Sequence, residues 1–69
     1  MNDITYRDEG TVILFTFLSE AAQSFSDDHI NWESWQQLGP HSFAADRRPG
    51  IELIEVLRAE GFKVMEVRT

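Results

Sequence analysis

The stretch DEGTVILFTFLSEAA, residues 8–22, sets the acidic turn Asp8-Glu9-Gly10 against an almost unbroken apolar run from Val12 to Leu18. That run is far shorter than the ~20 residues a helix needs to span a bilayer, so it is no membrane anchor. Its Val, Ile, Phe and Thr content fits a strand. Gly10 can adopt the left-handed backbone of a bulged turn, which joins residues 4–7 and 11–18 into a β-hairpin. Both alternating sets are apolar, with Val12, Leu14 and Leu18 on one side and Ile13, Phe15 and Phe17 on the other. A strand of this kind hides both faces and sits at the centre of a sheet.

Working outward, Ser19 offers a side-chain oxygen to the first amides of a helix, and Glu20 suits the positive end of its dipole. Ala21, Ala22 and Phe25 form the buried stripe, and the polar run Ser26 to His29 ends the helix or carries it on. Asn31 caps a second short helical piece, with Trp32, Trp35 and Leu38 at intervals of three before Gly39-Pro40. Large apolar groups are scarce in so short a chain, so core packing is the simpler account of at least one tryptophan, and an interface anchor is the alternative. Residues 41–46 read as a brief strand.

Pro49 suits the first turn of a further helix. Ile51, Leu53, Ile54, Val56, Leu57 and Ala59 give that helix a wide apolar face. Gly61 fits the left-handed residue that ends it, with Phe62 packing back on Leu57. Residues 63–67 finish as a strand. The fold class is therefore α/β or α+β: a small two-layer domain over residues 1–69 with an N-terminal β-hairpin, a helix, a short strand, a helix and a C-terminal strand on one sheet.

Sixty-nine residues bury about 60% of the unfolded surface, and with no cysteine the core alone must hold them together. Twelve Asp and Glu against six Lys and Arg give a formal net charge of −6. Such a field repels nucleic acid and anionic membranes, so direct nucleic-acid and membrane partners are not expected, and a protein partner should be basic. Asp3 stands where a secretory leader would carry positive charge, which points to the cytoplasm.

No motif carries a reaction. His29 and Glu33 share a four-residue spacing, but Asn31 interrupts their helix and only His41 remains as another histidine, so no metal or other cofactor is expected. Ser19, Ser24, Ser26, Ser34 and Ser42 lie in no nucleophile-elbow pattern, and the chain is not expected to be an enzyme. Arg47-Arg48 beside a helix start could receive a phosphate, which makes a small anion- or nucleotide-binding module one alternative. Neutralisation by Asp46 and nearby glutamates competes with that reading.

The carboxylates of Asp8, Glu9, Asp27, Asp28, Glu33, Glu52 and Glu55 fall on turns and exposed helix faces. They serve solubility, or they imitate a row of phosphates in front of a basic groove. Together with DEGTVILFTFLSEAA and RRPGIELIEVLRAEGFKVMEV, this small size, acidity and element order resemble the anti-CRISPR proteins that phages and mobile elements encode, in particular an inhibitor of a type I system. The resemblance implies a non-catalytic inhibitor in the host bacterial cytoplasm, binding the basic DNA-recognition surface of a Cas subunit in a surveillance complex. A monomer is expected, and an exposed tryptophan or the N-terminal edge strand is the route by which the chain would pair with itself. Anti-CRISPR proteins share no common fold, so no residue role carries over by position. An antitoxin-like protein that neutralises a basic partner has the same chemistry.

Overall fold

In the computed structural model, which describes residues 1–67, the apolar run becomes β2 (Val12–Phe17), the middle strand of a five-stranded mixed sheet. β1 (Ile4–Asp8) pairs with it antiparallel as the expected hairpin, and Gly10 takes a φ of 93° in the connection. Glycine alone meets no steric penalty there. Across β2 lies β4 (Ser42–Asp46), also antiparallel, and a short β3 (Gln37–Gly39) borders β4 at one edge. β5 (Val64–Glu66) runs parallel to β1 at the other, giving the order β3-β4-β2-β1-β5.

Two helices complete an α+β fold. α1 (Glu20–His29) starts as expected, with Ser19 Oγ accepting the Ala22 amide at 3.1 Å. α2 (Arg47–Ala59) holds Pro49 in its first turn, where the missing N–H has no helical acceptor to lose. It ends on Gly61 at φ 95°, where the Gly61 amide donates to Arg58 O and the Phe62 amide to Leu57 O. These two bonds satisfy two of the last carbonyls of the helix. Phe62 then joins the core cluster that contains Leu57.

The two apolar sets of β2 meet different fates, which corrects the expectation that both faces are hidden. Ile13, Phe15 and Phe17 are at most 1% exposed and lie under the helices with Ile4, Phe43 and Ala45, the same-side partners given by the register. Val12 and Leu14 point the other way and are half-buried, because neither helix packs on that side, where Ala44 alone is buried; Leu18 lies beyond the strand and is exposed. Apolar composition alone could not tell a two-sided strand from a one-sided strand with an open apolar face.

The helix stripes are also narrower than expected. Ala21 is exposed while Ala22 and Ser26 are buried, and on α2 Ile51 and Val56 reach solvent while Gly50, Ile54 and Leu57 face the sheet. Asn31 caps nothing; Glu33 precedes a single 3₁₀ turn, Ser34–Gln36, and β3 follows where the second helical piece was expected. The tryptophans divide, Trp32 entering the core and Trp35 standing 59% exposed.

Gly50 is where α2 meets β2. A Cβ placed there would lie 3.1 Å from two carbons of the Ile13 side chain, which is itself buried between strands. A β-branched residue at this point must push the helix off the sheet. Gly50→Val is expected to destabilise by about 1–3 kcal/mol through overpacking. Gly50→Ala should fall nearer neutral, because its gain of about 1 kcal/mol in helix propensity opposes the strain. Urea midpoints of the two variants, at unchanged slope, check the pair.

Candidate partner-binding surface

The seven carboxylates singled out from the sequence separate into two groups. Asp8, at the end of β1, accepts both contacts from Arg47, including a 2.6 Å bond from Nη1 to Oδ1, and also takes the Gly10 amide at 2.9 Å. Glu9 pairs with Arg7 at 3.3 Å, and Glu33 accepts the Trp35 indole N–H at 2.7 Å. These three are occupied by the chain's own groups. Asp27, Asp28, Glu52 and Glu55 are exposed and make no hydrogen bond or ion pair among the described residues.

The second group lies on the helical layer. Asp27 and Asp28 stand in the last turns of α1, and Glu52 and Glu55 are one turn apart on α2. Glu20 in the first turn of α1 and Glu60 at the C-cap of α2 add to them, and both are likewise exposed. Against these six carboxylates the outer surface of the two helices carries Arg48 and Arg58, with Arg47 held by Asp8. Net charge is thus shared about evenly between the helical layer and the rest of the chain, and what distinguishes the helices is that their carboxylates have no partner among the described residues, whereas Asp3, Asp8, Glu9 and Glu33 are engaged. Asp27, Asp28 and Glu60 sit near the negative ends of their helix dipoles, where a carboxylate lowers helix stability instead of raising it.

Two hollows border α2. A groove of about 260 Å³ between α2 and strands β1 and β5 brings Tyr6, Asp8, Arg47, Glu55, Arg58 and Glu66 together, and a more open depression of about 550 Å³ is lined by Arg47, Arg48, Ile51, Glu52 and Glu55. Each mixes cations with carboxylates, which cancels the field an anion would need. Within the pair Arg47-Arg48, Arg47 is spanned by Asp8 and not by Asp46, whose side chain makes no bond at the helix start. No three His, Asp or Glu side chains among the described residues converge on a metal position. His29 instead lies against the Phe25 ring at 4.6 Å. No described helix is long and apolar enough to cross a membrane.

Asp3, unremarkable in the sequence, ties three segments together. Its amide donates to Lys63 O, its carbonyl accepts from Leu18 and Ser19, and its carboxylate takes the Lys63 amide at 2.9 Å. That amide, followed by the Ser19 hydroxyl, holds the Asp3 carboxyl below its ordinary value of 3.8. The Gly10 amide and then the Arg47 guanidinium do the same for Asp8. A depressed carboxylate contributes stability above its unfolded pKa and loses it as pH falls through the lower folded value. Thermal stability is thus expected to drop below pH 3.8, and Asp8→Asn should flatten that acid limb while lowering stability at neutral pH. Melting temperature against pH for the two proteins measures it.

No family model, curated protein or solved structure matches the chain.

Proposed function

We propose that the protein is a non-catalytic inhibitor that docks the acidic surface of its two helices onto a basic protein surface. The observation that carries this reading is the gathering of unpaired carboxylates on the helical layer. Asp27, Asp28, Glu52 and Glu55 form the contact, while Asp8, Glu9 and Glu33 serve the scaffold. Carboxylates at the negative ends of helices lower the stability of the protein that bears them, and a partner's lysines and arginines give them a role.

The resemblance to anti-CRISPR proteins narrows the partner to the DNA-recognition surface of a Cas subunit in a type I surveillance complex, in the host bacterial cytoplasm. There the helical layer would occupy positions meant for phosphates and prevent target-DNA capture. An antitoxin-like target is met by the same surface. The anion-binding alternative has less support, because Arg47 is already engaged by Asp8 and both depressions beside it hold glutamates. The test is target-DNA capture by purified type I surveillance complexes with the protein added to saturation. Loss of capture supports the reading, and undiminished capture ends the Cas assignment.

A further inference from the structure

The helices cover one face of the sheet and leave the other bare. By register, Val12, Leu14 and Met65 share this side with Thr5, Thr16 and Ser42, none of them in the core cluster, and Ala44 beside Leu14 is 8% exposed. The charged side chains placed there are Arg7, already paired with Glu9, and Asp46 at its margin. Val67 lies beside Thr5 and Leu14 along a shallow groove of about 210 Å³ on this side. Met65 is 54% exposed and Val67 43%, so aliphatic surface meets water along the β5 edge, and Val12 and Leu14 on the central strand are half-buried.

We propose that this open face is a self-association surface, through which two copies of the chain pack sheet against sheet about a two-fold axis. Charge selects the occupant. A chain of net charge −6 resists meeting itself, but six of its unpaired carboxylates project from the helical layer on the opposite side, and only Asp46 borders the bare face. Face-to-face packing of the sheets directs both helical layers outward and brings two nearly neutral aliphatic surfaces into contact. A strongly basic partner would find no matching field there. The self-complementary contact that a two-fold axis requires is met by Leu14 on the central strand, which can sit against its own symmetry mate.

The size of the face fits a weak dimer. Strand spacing of about 4.8 Å and a rise of about 3.3 Å per residue give roughly 350 Å² in projection for the five strands. Side-chain relief enlarges the accessible area beyond that projection. Two copies then bury upwards of about 700 Å² in total, the range of weak, transient contacts. The result is a four-layer assembly that displays an acidic helical surface at each end.

The proposal concerns the protein by itself and stands apart from the identity of any Cas partner. Sedimentation velocity over a wide concentration range is expected to show the mass rising from 8.0 kDa toward twice that value. Met65→Glu, at a position already exposed, is expected to weaken the dimer at least tenfold, with an unchanged melting temperature at dilutions where both proteins are monomeric. Leu14→Glu, which puts a charge on the axis, is expected to abolish it. Glu52→Lys on the helical layer should leave the dimer intact, and added salt should not dissociate it. A single 8.0 kDa species at every concentration overturns the proposal. So does a dimer that both sheet variants leave unchanged.

Discussion

Replacing Trp32 by alanine is expected to leave most of the protein unfolded at room temperature, whereas Trp35→Ala should change stability by less than about 0.5 kcal/mol. The Trp32 ring lies flat on Phe43, with centroids 4.6 Å apart and planes 6° from parallel, and it also meets Phe15 and Phe17. Its indole N–H donates to Ser26 Oγ at 2.8 Å, and Ser26 is only 1% exposed. Truncation costs about 3–5 kcal/mol in packing, and a buried hydroxyl left without its donor adds about 1–3 kcal/mol.

A chain of this length is stabilised by only ~3–10 kcal/mol in all, so a loss of that size removes most of the folded population. Trp32→Phe keeps the ring contacts but gives up the bond to Ser26, and should fall between wild type and alanine. Denaturant titration with near-ultraviolet dichroism distinguishes the three. A Trp32→Ala transition at the wild-type midpoint would remove Trp32 from the core of this fold.

The two tryptophans show what the sequence could and could not convey. Their spacing of three reads as one helical face, but the chain between them is extended, and a 3₁₀ turn begins only at Ser34. One ring therefore turns inward and the other stays with Glu33. Features set by adjacent residues were legible: the hairpin at Gly10, the Ser19 cap, and the Gly61 termination with Phe62. Each needs only a local backbone preference or a side-chain oxygen within three positions.

Features set by distant partners were not legible. Arg47 and Asp8 are 39 positions apart, and nothing in either neighbourhood names the other. The three residues of β3 are too few to show a period. The bare face of the sheet was hidden by its own composition, since Leu14 and Phe15 look alike as apolar letters. Among the candidate carboxylates, the sequence shows charge alone, and only the fold separates those engaged by the chain's own groups from those that are exposed and unpaired.

That separation fixes the second large effect. Reversing Asp27, Asp28, Glu52 and Glu55 together to lysine is expected to weaken binding to a basic surveillance complex by about a hundredfold or more, close to 2.7 kcal/mol. Each reversal adds two positive charges, so the four carry the chain from −6 to about +2 and replace attraction by repulsion. Peripheral charges act mainly on encounter, so the association rate should fall most, and the wild-type rate should itself decline as salt shortens the Debye length below about 10 Å. Glu9→Gln with Glu33→Gln supplies the comparison, because those carboxylates already answer to Arg7 and Trp35. That double variant should bind within a few-fold of wild type. Association rates on an immobilised complex at two salt concentrations decide the matter. If the four lysines bind as fast as the native carboxylates, the helical layer is not the contact, and its charge serves only to keep the protein dispersed.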